Sequence, residues 1–229
     1  MSIVIQNKGS GTNNENEKHH KNDVEEQQVK QLKIAKRSLR RQIDATLATL
    51  TLDEVNCQSA KVHFRLFEMK DFSDAKRVGM YLSLPTKEVH TQPILKRCFN
   101  DGKQVFVPSY DFLTRQMEFY EIKSLQEYET LPVEPKYQIK QPELDNASGR
   151  AEALSTGGLD ILLCPGVCFT RDGKRLGHGR GYFDTWLQRM SKISNITRPK
   201  LIGLALEKQI ISNLPTHEWD FKMDQIISS

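Results

Sequence analysis

One stretch of the sequence, RLGHGRGYFD at residues 175–184, combines residue types that can bind an anion. Glycines alternate there with two arginines and a histidine, and a predicted helix begins directly after them. Glycine lets the backbone come close to a ligand, and the N–H groups of a helix N-terminus favour negative charge. The spacing G-x-G-x-G matches neither a Walker A loop nor a dinucleotide-binding fingerprint. Three interpretations stay open: a phosphate-binding loop, a tight turn whose glycines serve only the backbone, and a site for another ligand.

A second candidate lies on a predicted helix near the N-terminus. Apolar residues recur there at steps of three and four from Gln31 to Leu50. Lys36 and Arg40 are four residues apart, so both lie on one face of the helix and can reach one polyphosphate. A solvated basic face is the alternative interpretation of the same pattern.

The elements that must position these residues alternate along the chain. Strands that alternate with helices predict a mostly parallel sheet with helices on both faces, in one domain. A capping box at Thr51–Glu54 opens the second helix, and residues 123–150 are polar, which predicts a long surface connection with one short helix. The predicted strands are 77–85, 103–110, 117–122, 159–164, 200–207 and 223–228, and the predicted helices are 31–50, 52–69, 92–101 and 181–192.

Composition narrows the class of protein. Residues 1–29 carry few large apolar side chains, which predicts a disordered polar tail, and residues 30–229 are predicted to form the folded domain. The tail has acidic residues and no arginine, unlike a mitochondrial transit peptide, and no run approaches the roughly 18 apolar residues of a membrane span. Cys164 and Cys168 stand in an apolar run, so we expect reduced, buried thiols.

A nucleic-acid-binding module is the competing class of function. The basic helix and the net charge of +4 permit it. Such a module has no need of alternating glycines, however, and the acidic residues Glu88, Asp184 and Asp224 would oppose a phosphate backbone.

The glycine-rich stretch also carries a resemblance to a known family. PGVCFTRDGKRLGHGRGYFD (165–184) resembles the signature of the 5-formyltetrahydrofolate cyclo-ligases, also called methenyltetrahydrofolate synthetases. KRSLRRQI (36–43), MYLSLPTKEVHTQPI (80–94) and FKMDQII (221–227) are similar to the family's basic helix, its substrate-facing strand and loop, and its last strand. The resemblance covers about residues 31–228. It implies a single three-layer α/β/α domain with a mostly parallel, Rossmann-like sheet.

The resemblance implies a reaction as well as a fold. A member of this family closes 5-formyltetrahydrofolate to 5,10-methenyltetrahydrofolate through a phosphorylated formyl group, with ATP as co-substrate, Mg²⁺ as the metal, and ADP and phosphate as products. The implied substrate carries a polyglutamate tail or none, and neither a nucleic acid nor a membrane is implied as a partner. We expect a monomer in the cytoplasm, with a mitochondrial location left open. A relative that has lost catalysis, or a nucleotide-dependent ligase that acts on a different substrate, is the remaining alternative.

The same resemblance assigns residues to roles. The catalytic residues are Lys36, Arg175 and Arg180. The ATP-binding residues are Lys36, Arg37, Ser38, Leu39, Arg40, Arg175, Leu176, Gly177, His178, Gly179, Arg180, Gly181, Tyr182 and Phe183. The folate-binding residues are Leu82, Glu88, His178, Gly179, Arg180, Gly181 and Tyr182, and the magnesium ligands are Asp184 and Asp224. Phe183 stands where the family often has tyrosine, so a hydroxyl role is absent there. Trp186 and Trp219 are expected to be packing residues.

Overall fold

The computed structural model describes residues 12–111, 113–114, 116–135, 138–144, 149–217 and 220–229. Its helices are α1 Thr12–Leu47, α2 Leu52–Phe67, α3 Lys70–Asp74, α4 Gln92–Asn100, α5 Leu125–Thr130 and α6 Tyr182–Met190, with a 3₁₀ turn at Glu207–Gln209. Its strands are β1 Arg77–Met80, β2 Gln104–Asp111, β3 Gln116–Ile122, β4 Val133–Glu134, β5 Ile139–Lys140, β6 Ile161–Cys164, β7 Cys168–Phe169, β8 Arg175–Leu176, β9 Lys200–Ala205 and β10 Gln225–Ser228.

The central sheet has the strand order β10-β9-β6-β1-β2-β3. Its neighbouring strands pair in parallel, as in the registers Val78↔Ile161 and Val78↔Val105, except for the β2–β3 hairpin, which is antiparallel. The inner strands are buried on both faces, as in the fully buried pattern of β6. Continuous apolar runs suit that position, so the predicted mostly parallel sheet is confirmed.

Helices cover both faces of this sheet. The crossovers from β1 through α4 to β2 and from β6 through α6 to β9 run in opposite directions along the sheet. Because such crossovers are right-handed, α4 and α6 lie on opposite faces. The Arg97 guanidinium of α4 lies 5.0 Å from the centre of the Phe67 ring of α2, which places these two helices together. The three-layer α/β/α prediction is therefore confirmed.

Several local predictions are confirmed within this frame. The capping box at the start of α2 is complete, since Thr51 and Glu54 each hydrogen-bond the other's backbone N–H. Cys164 and Cys168 are buried free thiols, and Trp186 is 1% exposed in the core. Trp219, the other predicted packing tryptophan, lies outside the described residues.

The first helix is longer than the sequence pattern predicts. A disordered tail is predicted over residues 1–29, but α1 begins at Thr12; residues 1–11 lie outside the described residues. Glu, Lys and Gln favour helix even without an apolar face, and Glu26 pairs with Lys30 at 3.7 Å across one turn. The core begins later in α1, because Ile43 is the first of its described side chains to be buried.

Two further segments differ from the prediction. β1 ends at Met80 instead of continuing to residue 85, because Tyr81 and the residues after it turn away to form a loop. The connection over 123–150 contains the predicted short helix, α5, and also the β4–β5 hairpin, which its polar sequence does not indicate. Among the described residues, no helix has both the length and the apolar character to cross a membrane.

Candidate active site

A cavity of about 320 Å³ opens beyond the carboxyl ends of β1 and β6. These two neighbouring strands lead into the oppositely directed crossovers, and open α/β sheets bind ligands in the crevice at such a point. The residues that line the cavity are Lys36, Arg40, Tyr81, Leu82, Leu84, Glu88, Tyr110, Glu134, Ile139, Gln141, Pro165, Arg175, Leu176, Gly177, His178, Gly179, Arg180, Gly181, Tyr182, Phe183, Asp184 and Asp220.

Arg175 is fixed at one end of the cavity. It is 7% exposed, and its Nη2 donates to Asp184 Oδ1 at 2.7 Å while its Nη1 donates to the Pro165 carbonyl at 3.2 Å. Its buried Nε has no hydrogen-bond partner among the described residues. A buried donor without a partner is costly unless a ligand or water satisfies it, so this guanidinium is suited to bind an anion.

The glycine-rich loop has the backbone geometry that requires glycine. Gly179 and Gly181 have φ of +96° and +76°, a region that other residues rarely adopt. A Cβ atom on Gly179 would also approach Arg40 Cζ to 3.2 Å. Gly181 is the N-cap of α6, so the first N–H groups of that helix lie beside the loop, as an anion site requires.

Helix α1 brings two further cations to this end. Lys36 forms an ion pair with Asp220, whose carboxylate also accepts from the backbone N–H of His217 at 2.7 Å. Arg40 donates from Nε to the Gly177 carbonyl at 2.8 Å. The Arg40 guanidinium is partly buried, and this burial lowers its pKa. A partly desolvated cation interacts more strongly with an anion.

The other end of the cavity has a buried carboxylate. Glu88 is 6% exposed, and its Oε2 accepts from Leu84 N at 3.0 Å. His178 Nε2 lies 3.6 Å from its Oε1. Burial raises the pKa of Glu88, and His178 partly opposes this shift. Burial raises the pKa values of the buried Tyr81 and Tyr110 hydroxyls, and the charge of Glu88 raises them further.

Most of the predicted site residues meet in this cavity. Lys36, Arg40, Leu82, Glu88 and the whole stretch 175–184 line it. Arg37 and Ser38 lie on the exposed side of α1, and Leu39 also stands outside the cavity lining.

The predicted metal pair is not formed. The Asp224 carboxylate accepts from Leu201 N at 2.7 Å and pairs with Arg198 at 2.8 Å. Asp224 precedes β10, which runs parallel to β9, so it lies at the amino edge of the sheet, whereas Asp184 lies at the carboxyl edge. Asp220 lines the cavity together with Asp184. Within the described ranges there is no cluster of three or more His, Cys, Asp or Glu side chains fit to hold a metal ion.

Some lining residues were not predicted from the sequence. Tyr81 belongs to a stretch that the resemblance covers, and Asp220 stands four residues before Asp224, the residue that the resemblance assigned to the metal. Glu134, Ile139 and Gln141 come from the β4–β5 hairpin and the residue after it, a region whose sequence carries no signal for a site. The remaining residues of this group are Tyr110 and Pro165.

Comparisons with known proteins agree with this geometry. The sequence model of the 5-formyltetrahydrofolate cyclo-ligase family matches residues 32–229. The chain is 36% identical to the mouse 5-formyltetrahydrofolate cyclo-ligase over 193 residues, which cover 84% of this chain and 93% of the mouse protein. It is 32% identical to the Saccharomyces cerevisiae enzyme of the same name over 205 residues, which cover 84% of this chain and 94% of the yeast protein.

Solved structures show the same fold. The NMR structure of the Aquifex aeolicus 5,10-methenyltetrahydrofolate synthetase superposes with a TM-score of 0.65 at 24% identity, covering 84% of this chain and 89% of that one. The 5,10-methenyltetrahydrofolate synthetase of Mycoplasma pneumoniae gives a TM-score of 0.60 at 21% identity, covering 84% and 98%. The family model spans nearly all of the described domain and contains every residue that lines the cavity, so this chain belongs to the 5-formyltetrahydrofolate cyclo-ligase family.

Proposed function

We propose that this protein closes 5-formyltetrahydrofolate to 5,10-methenyltetrahydrofolate in an ATP-dependent reaction that releases ADP and phosphate. The observation that carries the proposal is that one cavity is lined both by buried and half-buried cations beside a helix N-terminus and by the buried carboxylate of Glu88. Family membership supports the same reaction.

The chemistry requires the formyl oxygen to become a leaving group. When bound, ATP supplies the phosphoryl group that this oxygen takes up. N10 of the folate then bonds to the formyl carbon and gives up its proton, the C–O bond breaks, and the oxygen departs within inorganic phosphate. Such reactions depend mainly on positioning and on neutralisation of charge, which fits a site built from fixed cations.

The cationic end fits a polyphosphate. Arg175 is braced by Asp184, and its buried Nε finds no hydrogen-bond partner in the described part of the chain. Arg40 is oriented by its bond to the loop. We assign Arg175, Arg40 and Lys36, together with the backbone N–H groups of residues 177–182, to the phosphates. Arg180 lines the same cavity, and we assign it to the phosphoryl group that is transferred.

We propose that Asp184 and Asp220 hold Mg²⁺. Both carboxylates line the cavity, and each is now paired with a cation of the phosphate end, Arg175 and Lys36 respectively. Magnesium favours one or two carboxylates together with phosphate oxygens and waters, so this donor set fits the ion. When bound, the ion neutralises charge on the phosphates.

The opposite end fits the folate. Glu88 can accept hydrogen bonds from the N–H groups of a pterin, which gives this buried carboxylate a role. Leu82, Tyr110 and Tyr182 add apolar and aromatic surface around it. His178 stands between the two ends, because it lies 3.6 Å from Glu88 and belongs to the glycine-rich loop.

The remaining expectations follow from the same proposal. We propose residues 30–229 as the catalytic unit, working as a cytoplasmic monomer on a folate with or without a polyglutamate tail. A direct test mixes the protein with ATP, Mg²⁺ and 5-formyltetrahydrofolate and follows the absorbance of the methenyl product. Growth of that absorbance, dependent on ATP, supports the proposal. A protein that binds ATP and yet forms no product would instead be a relative with another substrate.

A further inference from the structure

The loop that carries Glu88 is bent at an unusual backbone position. Lys87, directly before Glu88, has φ of +69° without being glycine. Backbone in this left-handed region persists when its surroundings hold it there, and such positions often occur at functional sites. The bend comes between Pro85, which follows the end of the β1 segment, and Glu88, whose carboxylate lies in the cavity.

The chain after Glu88 is held by several hydrogen bonds. Tyr81 donates from its hydroxyl to the Val89 carbonyl at 3.0 Å. His90 N donates to Ser59 Oγ at 3.1 Å, and Ser83 N donates to Thr91 Oγ1 at 3.0 Å. This last contact explains why Thr91, the predicted cap of α4, makes no capping hydrogen bond.

The chain before Glu88 is held to a different element. Lys87 Nζ pairs with Asp44 Oδ1 at 2.7 Å, and Asp44 belongs to α1. Asp44 follows Arg40 by one helical turn and Lys36 by two, so the three residues lie on one side of the helix. The pair therefore joins the helix that carries the phosphate-binding cations to the loop that carries the folate carboxylate.

We propose that Lys87 and Asp44 are positioning residues, and that their ion pair holds the Pro85–Glu88 loop in the bend that directs Glu88 into the cavity. The inference rests on the proposed function, because Glu88 is taken to bind the folate. The side chains of Lys87 and Asp44 are 33% and 65% exposed. Exposed pairs contribute little to global stability and weaken with salt. Their effect is thus expected in folate binding and not in the melting temperature.

The test uses the full-length protein with variants of each partner. Asp44→Asn keeps the size of the side chain and removes its charge. Lys87→Asn also removes charge, and asparagine tolerates positive φ, so the bend itself is not penalised. We expect each variant to raise KM for 5-formyltetrahydrofolate about three- to tenfold, with kcat and KM for ATP within about twofold. The folate KM of the double variant should be no higher than that of the more impaired single variant, since both substitutions remove the same contact.

A charge reversal and a matched control complete the experiment. Asp44→Lys combined with Lys87→Asp should recover part of the folate KM, because aspartate also tolerates positive φ. Raising the salt concentration should raise the folate KM of the wild type more than that of either single variant. The control is Asp74→Asn, which breaks the exposed pair Lys70–Asp74 away from the cavity and should leave KM unchanged.

The outcomes separate this inference from the proposed function. A wild-type protein that turns over 5-formyltetrahydrofolate, with an unchanged folate KM in both single variants, overturns the positioning role alone. A lowered melting temperature, together with a lower kcat and similar rises in the KM values for folate and ATP, also overturns it. That pattern indicates a general structural role. A wild-type protein that neither binds nor converts 5-formyltetrahydrofolate overturns both.

Discussion

Arg175 and Asp184 form an ion pair of 2.7 Å that joins the entrance of the glycine-rich loop to the first turn of α6. The Arg175 side chain is 4% exposed, and the bond to the Pro165 carbonyl fixes the orientation of its guanidinium. A fixed, buried cation has lost its conformational freedom before a ligand arrives. Its contribution to binding an anion is therefore larger than that of a mobile surface arginine.

Arg175→Ala should weaken ATP binding and leave folate binding nearly unchanged. A charged hydrogen bond lost from a desolvated site costs about 1.5–3 kcal/mol, which is roughly a tenfold to hundredfold change in Kd. Glu88→Gln should show the reverse pattern. Calorimetric titration of both variants with each ligand gives the four constants needed. If Arg175→Ala loses folate and keeps ATP, the loop is a pterin-binding loop and not a phosphate-binding one.

Asp220→Asn and Asp224→Asn should have different effects. The first removes a carboxylate from the cavity wall, so we expect at least a tenfold higher Mg²⁺ concentration for half-maximal turnover. The second breaks the pair with Arg198 at the opposite edge of the sheet. It should lower the free energy of unfolding by about 1 kcal/mol and leave the Mg²⁺ dependence unchanged. Turnover measured against Mg²⁺ concentration tests both, and the reverse result would restore Asp224 as the ligand.

Glu88→Gln should stabilise the protein without ligands at neutral pH. Burial raises the pKa of Glu88 in the folded state, so the folded protein binds the proton more tightly than the unfolded chain does. The contribution of Glu88 is then most favourable below the unfolded pKa and is lost as the pH rises through the folded pKa. We expect a gain on the order of 1 kcal/mol at pH 7. Urea unfolding of the variant and the wild type should show this gain at pH 7 and no gain at a pH below the unfolded pKa. A difference between the two proteins that does not change with pH would refute the argument.

Deletion of residues 1–29 should leave folding and turnover nearly unchanged. Residues 26–28 and 30 of α1 are exposed, and the first residue of α1 that lines the cavity is Lys36. A segment whose sequence has few large apolar side chains can bury little apolar surface and contributes little to stability. Comparing melting temperature and kcat/KM for the shortened and full chains tests this. A large loss of activity would mean that the first part of the chain contacts a ligand.

The sequence predicts well that the glycine-rich stretch lines the cavity, because its signals are local. Gly179 and Gly181 take positive φ two residues apart in one loop, and helix α6 begins at the residue after Gly181. The alternation of strands and helices likewise follows from short-range patterns. A loop, a helix start and a basic face can therefore be read from neighbouring residues.

The missed residues depend on contacts between distant segments. Asp220 reaches the cavity through its pair with Lys36, which stands far away in the sequence. The hairpin that brings Ile139 is held by Gln141, whose side chain bonds the backbone of Tyr110. The resemblance assigned Asp224 by its place in a stretch similar to the family's last strand, and only the parallel register of β10 shows that it lies at the amino edge of the sheet. No local pattern contains this information.

The pairing of β1 with β6 also bears on when the site can form during synthesis. The register Met80↔Leu163 joins the strand before the Glu88 loop to the strand before the glycine-rich loop. A chain emerging from the ribosome that ends at β3 already contains Lys36, Arg40 and Glu88, yet it has no cavity in which to use them. Closing such a long segment is slow. Ligands that bind only the completed cavity favour the finished sheet over earlier folding states by mass action, so we expect the proposed ligands, folate and ATP, to stabilise the newly made protein.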